Sequence, residues 1–362
     1  METVRLRQGD GVLLLRLGAV GDVVRTLPSL ARLRESAPGI RIAWVVEPPS
    51  APLLPRAPWL DEILVFPRKA LQAPALARQS ADGMRKLQAF LTAIRAFRPT
   101  LSIDFQGTAK SSLLGWLSGA PWRLGFDRAG SREGSFLLNN LRVHPSSERL
   151  NRVHKNLELL GPLHPAAAPL KFPFREEGPS DKVLGFLASL GEGTRVVLHA
   201  GTSRRQRHKQ WPAENFARLA GSLAREGWVP VLTWGPGEEE MIREIRSLSG
   251  ESSVPTPPLD VEEMRHVIAG CHLFVGADTG PMHLAWSQGI PVVALFGSTD
   301  PRINGPLGEG HRILAPAWEN ASPPPSRGDS AAIRRVEPEA VLQAVRGALA
   351  CRPGAAAQAP AR

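Results

Sequence analysis

Asp22 closes the stretch Gly18-Ala19-Val20-Gly21-Asp22, directly after the apolar run Val12-Leu13-Leu14-Leu15-Arg16-Leu17. A carboxylate at the C-terminal end of a buried strand stands where open parallel sheets place their ligands, and it can take a proton from a hydroxyl held against it. Gly18 and Gly21 let the backbone turn and approach a ligand closely. The same spacing fits an Asp that caps the following helix, and the local sequence leaves both readings open.

Further along, His199-Ala200-Gly201-Thr202 follows a strand-like run, and Lys209-Gln210-Trp211-Pro212 opens the next helix. Hydroxyls, small residues and a Lys around a helix N-terminus favour a phosphate, through free N–H groups and the helix dipole. An ordinary loop with a solvated Lys is the alternative, and the basic run 204–208 makes any one cation less diagnostic. The spacing is not that of a P-loop. Asp278-Thr279-Gly280-Pro281-Met282-His283 repeats the arrangement at another strand-to-helix turn. That context excludes the aspartic-protease reading of Asp-Thr-Gly, while helix capping by Asp278 stays open. Trp234-Gly235-Pro236-Gly237 leads into Glu238, Glu239 and Glu240, where a carboxylate could take a ribose diol or merely favour a helix start. In the first half, Asp104-Phe105-Gln106-Gly107 precedes Lys110, and Ser131-Arg132-Glu133 with the basic series Arg123, Arg128, Arg142, Arg149, Arg152 and Lys155 forms the densest positive region. Planar guanidiniums suit carboxylate and phosphate recognition; a solvated basic face is the alternative.

The elements that must position these residues alternate. Strands are expected over 12–17, 40–46, 62–66 and 101–105, with helices over 25–35 and 84–97 between them; Pro28 marks the start or a kink of the first long helix. The second half repeats this with strands over 195–199, 228–233, 272–276 and 290–296. Its helices are expected over 211–225, 238–248, 261–269, 281–288 and 337–350, and Pro212 suits a first helical turn. Pro-rich sequence over 161–169 and polar residues over 175–179 place a domain boundary within 165–178, giving an N-terminal domain of residues 1–170 and a C-terminal one of 171–350. A loop is expected over 322–328 and a frayed tail over 352–362. The pattern is α/β, two Rossmann-like domains with their strand-end loops facing across a cleft.

With 362 residues and 43% apolar content, the chain is long enough for two cores and is not a disordered one. Its net charge of +10 lies wholly in the first half, where residues 1–175 carry 25 Lys and Arg against 13 Asp and Glu. Such a bias points to an anionic partner, with compositional drift as the alternative. Nucleic acid is disfavoured because the arginines are not interleaved with aromatics. Cys271 and Cys351 make neither a disulfide framework nor metal spacing, so a reducing cytoplasm fits and no metal site is expected. Neither a signal peptide nor a transmembrane helix is expected.

Taken in order, 12–28, 104–111, 131–133, 199–202, 209–212, 234–239 and 278–283 resemble the bacterial lipopolysaccharide heptosyltransferases of glycosyltransferase family 9. Gly-Asp-Val before Thr-Leu-Pro, and Asp-Thr-Gly-x-x-His before the final strand, are the most specific elements. Asp-Phe-Gln-Gly with Ser-Arg-Glu is similar to the heptosyltransferase I branch more than to the II branch. The resemblance implies a GT-B fold, an ADP-heptose donor as substrate with no cofactor, and an anionic acceptor of Kdo-lipid A type at the cytoplasmic face of the inner membrane, where the protein sits peripherally. By position, Asp22 is the implied base. Thr202 and Lys209 hold the diphosphate, Glu238 or Glu239 the ribose, and Asp278, Thr279, Gly280 and His283 line the donor site; Gly21, Gln106, Lys110 and Arg132 fall to the acceptor. Two positions depart from the family: the loop between Thr202 and Lys209 is longer and more basic, and Gly201 stands where heptosyltransferase I has a hydroxyl residue. A nucleotide-sugar epimerase of the same architecture and a non-catalytic anionic-glycolipid binder are the rival readings.

Overall fold

The computed structural model describes residues 3–68, 81–318, 325–326 and 328–351. The chain divides into two compact units, Met1–Glu176 and Glu177–Arg362. In the first unit, strands β1 (Gly11–Leu15), β2 (Arg41–Val46), β3 (Glu62–Val65), β4 (Leu101–Asp104), β5 (Trp122–Phe126) and β6 (Leu141–Val143) pair in parallel, in the order β3-β2-β1-β4-β5-β6. Every residue of β1 is buried, as a strand covered by helices on both faces must be. Alternate side chains feed different cores: Val12 and Leu14 pack with Leu27, Leu30 and Leu33, and Leu13 and Leu15 with Phe90 and Ile94. Burying each such side chain contributes ~1.5–3 kcal/mol. The first set comes from helix Leu27–Ser36, whose first turn holds Pro28, and the second from helix Ala81–Ala96.

The second unit repeats the plan. Its strands β7 (Arg195–His199), β8 (Val229–Thr233), β9 (Val254–Pro255), β10 (Leu273–Ala277), β11 (Val292–Leu295) and β12 (Arg312–Leu314) run in the order β12-β11-β10-β7-β8-β9, again all parallel. Counted from its own first strand, each sheet has the same connectivity. The strand order reverses between β1 and β4 in one unit and between β7 and β10 in the other. Chain leaving those paired strands goes to opposite faces, which opens a crevice at their carboxyl ends.

The eight expected strands are all present, within two residues of the predicted bounds. Four more, β5, β6, β9 and β12, extend the sheets to their edges and were not expected. Pro212 is a correction of one position: it stands at the N-cap of helix Ala213–Arg225 rather than in its first turn. Most of the expected loop over 322–328, and all of the expected tail over 352–362, lie outside the described residues.

Candidate active site

At the first unit's switch point, the chain leaving β1 forms the short helix Val20–Val24, which carries the half-buried Asp22 in its first turn. The N-cap of that helix is Ala19, without a side-chain cap bond, so Asp22 does not serve as the cap. Its Oδ1 instead takes Arg16 Nη2 at 2.7 Å and Arg25 Nη2 at 2.6 Å. Arg16 is buried, donates its Nη1 to the Phe105 carbonyl at 2.6 Å, and has its guanidinium pushed down by desolvation against the pull of Asp22. More positive charge surrounds this group. Desolvation and the charges of Arg25, Arg16 and Arg132 push Arg152 down. Lys155 falls to about 8, through burial and then Arg152, Arg132 and Arg16. A cluster this poorly neutralised attracts anions.

From the neighbouring strand β4, Asp104 receives the Gln106 and Gly107 N–H groups on Oδ1 at 3.0 and 2.9 Å, and its burial raises it to about 6. Gly107 has φ +64°, and its carbonyl accepts the Arg132 N–H at 2.9 Å, so this turn carries Arg132 to the same strand ends. The Arg132 side chain is exposed. Gln106 Oε1 accepts the Leu17 N–H at 3.3 Å, and Gly21 is buried in the short helix. Lys110 is tied to Glu47 Oε1 at 3.0 Å, with Arg68 on Oε2 at 2.7 Å. Sequence reading missed Glu47, just past the end of β2, and gave no role to Arg16, which it placed within an apolar run.

The second unit's switch point carries the other group. Lys209 Nζ donates to Asp278 Oδ2 at 2.9 Å and to the Asp278 carbonyl at 3.1 Å, with both side chains nearly buried, 11% and 6% exposed. His283 Nε2 lies 3.5 Å from Asp278 Oδ1, and its Nδ1 accepts the Trp286 indole N–H at 3.0 Å, which leaves the ring proton on the side of Asp278. Thr279, not Asp278, is the N-cap of helix Gly280–Ser287, without a side-chain cap bond. Across the sheet, Thr202 Oγ1 is buried with no hydrogen-bond partner among the described residues. Glu238 turns its carboxylate inward, receiving the Gly235 N–H at 2.6 Å and the Thr202 N–H, and burial raises it against those two donors. Glu239 is exposed, with Oε1 3.4 Å from the Gly237 N–H. His199 is a core residue: it meets Thr233 Oγ1 at 3.0 Å, stacks on Phe274, and is held near 4 by burial. No group of three or more His, Cys, Asp or Glu among the described residues is placed to hold a metal ion.

The first unit's strand ends thus carry a carboxylate among cations, and the second unit's a lysine, hydroxyls and a helix N-terminus. The family model for glycosyltransferase family 9 (heptosyltransferase) matches residues 87–331. The chain belongs to glycosyltransferase family 9. Lipopolysaccharide heptosyltransferase 1 of Escherichia coli K12 is 30% identical over 315 residues, 85% of this chain and 94% of that one. The Pseudomonas aeruginosa protein of the same name is 29% identical over 301 residues, 82% and 81% of the two chains. Among solved structures, E. coli heptosyltransferase WaaC with ADP superposes with a TM-score of 0.74 at 26% identity, covering 93% of this chain and 99% of that one. This family 9 glycosyltransferase is thus an enzyme of the α/β GT-B class, and neither the epimerase nor the non-catalytic reading is favoured.

Proposed function

We propose that this family 9 glycosyltransferase moves a heptose from ADP-heptose to the Kdo-lipid A inner core of lipopolysaccharide. The observation that carries the reading is Asp22, a carboxylate at the carboxyl end of β1 set among Arg16, Arg25, Arg132, Arg152 and Lys155. That surrounding suits an acceptor bearing carboxylates or phosphates whose hydroxyl has to lose a proton. E. coli WaaC has been solved with ADP and with ADP-2-deoxy-2-fluoro heptose, which supports the same class of donor here.

In the reaction, the acceptor hydroxyl oxygen attacks the anomeric carbon of the heptose while Asp22 takes the hydroxyl proton. The bond from that carbon to the diphosphate oxygen breaks, and ADP leaves with the electron pair. Lys209, the Thr202 hydroxyl and the N–H groups of Thr279 and Gly280 stabilise the charge developing on ADP, and Asp278 with His283 aims the lysine. Glu239, the exposed member of the pair, takes the ribose hydroxyls. Arg132, Lys110, Gln106 and Gly21 line the acceptor side. The remaining rate enhancement comes from holding the two substrates in line.

No helix among the described residues is long and apolar enough to cross a membrane. The positive excess of the first unit, with exposed Trp116 and Leu137, supports peripheral contact with the anionic cytoplasmic face of the inner membrane. Mass spectrometry of lipopolysaccharide from a strain lacking the gene tests the reaction. A core that stops before its first heptose is expected; a core complete in heptose would refute it.

A further inference from the structure

Gly201 has no side chain, and the space where one would begin is already filled. A Cβ built there would lie 1.8 Å from Glu238 Oε2 and 2.4 Å from Glu238 Cδ. The Glu238 carboxylate is pressed against the Gly201 backbone, where it receives N–H groups from two loops: Gly235, after β8, and Thr202, after β7. Gly235 is also close, its own Cβ position 3.4 Å from the same oxygen. Residues 37 apart in sequence thus form one unit, a glycine that makes room and a carboxylate that joins two strand-end turns. The Thr202 hydroxyl, buried and without a hydrogen-bond partner among the described residues, stands beside that joint.

We propose that Glu238 is a positioning residue for the donor site, that Gly201 is required because Glu238 must lie against it, and that the pair together sets the aim of Thr202. This rests on the reading of the second unit as the ADP site. Glu238 never touches the donor; it fixes the distance between the two turns that do. Gly201 does not have a left-handed φ, so alanine fits the backbone there. The clash falls on the end of a flexible side chain, which can swing away without disrupting the fold. Gly201→Ala should therefore evict the carboxylate and act as Glu238→Ala does.

The test is a double-mutant cycle on the full chain, with ADP affinity read by calorimetry and thermal stability in parallel. Gly201→Ala, Glu238→Ala and the double variant should each weaken ADP by about tenfold and to the same extent, since the double variant has nothing left to lose; the hydrogen bond of a mis-aimed Thr202 hydroxyl to the donor is worth about that factor. Acceptor KM should not change in any of them. Effects that multiply in the double variant, or a Gly201→Ala enzyme with wild-type ADP affinity, would overturn the pairing. A Gly201→Ala variant less stable than the double variant, with ADP affinity equally weak in both, still supports it, because removing Glu238 then relieves the clash. If the unaltered enzyme does not bind ADP, the donor-site reading has failed and the pairing falls with it.

Discussion

Replacing Asp22 by Asn separates the chemical role of this carboxylate from its role as a counter-ion. The amide keeps the size and one acceptor oxygen, so both Arg16 and Arg25 can still donate to it at the present 2.7 and 2.6 Å. Each bond then falls from ~1.5–3 kcal/mol for a charged acceptor to ~0.5–1.5 kcal/mol for a neutral one. Two such bonds imply a loss of about 2–3 kcal/mol, and for a unit of this size a fall in Tm of about 5–10 °C. The variant therefore stays folded at 25 °C. Turnover should suffer far more: a general base contributes roughly 10² to 10⁴, or about 2.7–5.5 kcal/mol of barrier. ADP affinity should not move, because Asp22 belongs to the first unit while Lys209, Thr202 and Glu239, assigned to the donor, belong to the second. The assay is kcat at saturating donor and acceptor, with calorimetric Tm and ADP affinity on the same preparation. Near-normal turnover in a variant with the expected Tm loss would show that Asp22 only neutralises Arg16 and Arg25, and the base assignment would be wrong.

Other outcomes follow from the same geometry. Lys209→Ala should weaken ADP by more than tenfold, since a charge-assisted bond to phosphate is worth ~1.5–3 kcal/mol; unchanged affinity by calorimetry would remove Lys209 from the donor site. Arg132→Ala should raise acceptor KM more than donor KM, and the acceptor effect should shrink with added salt because Arg132 is exposed; equal effects on both substrates would contradict its assignment. Between pH 4 and 6.5 the two units should respond in opposite directions. Asp104, raised by burial from 3.8 to about 6, keeps its proton in the folded state, so its contribution to stability falls as pH rises through that window, by ~3 kcal/mol. His199, lowered by burial from 6.5 to about 4, stays neutral when folded, so its contribution is lost as pH falls, again by ~3 kcal/mol. Chemical denaturation of Asp104→Asn and His199→Gln at pH 4.5 and 7.5 checks both signs, and a variant whose pH dependence parallels the unaltered enzyme refutes that residue's term.

Strands β1, β7 and β10 were legible in the sequence because a strand buried on both faces is a continuous apolar run, and the residues that end them announced the site. Three of the four edge strands, β6, β9 and β12, were not. β9 is two residues long and includes Pro255, β6 has three residues around an exposed Arg142, and β12 has three that are only partly buried, so each is too short to show an apolar run or a sustained alternation. Asp22 and Asp278 could be named because each follows a strand, and Lys209 because it stands just before a helix; that Lys209 pairs with Asp278, 69 residues away, could not. Arg16 illustrates the limit. An arginine within a hydrophobic strand reads as an interruption, and only the fold shows that its guanidinium reaches Phe105 and Asp22. Glu238 looked like one of three equivalent carboxylates, until the backbone at Gly201 left room for one of them.

The most direct test of the central claim is transfer by the purified enzyme, with ADP-heptose as donor and Kdo-lipid A as acceptor, read by mass spectrometry of the lipid product. The account predicts that one heptose is added to Kdo-lipid A and one ADP released per turnover, with no turnover of donor when acceptor is absent and near-complete loss in Asp22→Asn. An enzyme that leaves Kdo-lipid A unmodified while transferring heptose to an acceptor already carrying one would contradict the proposed acceptor, and failure to use ADP-heptose at all would contradict the proposed reaction.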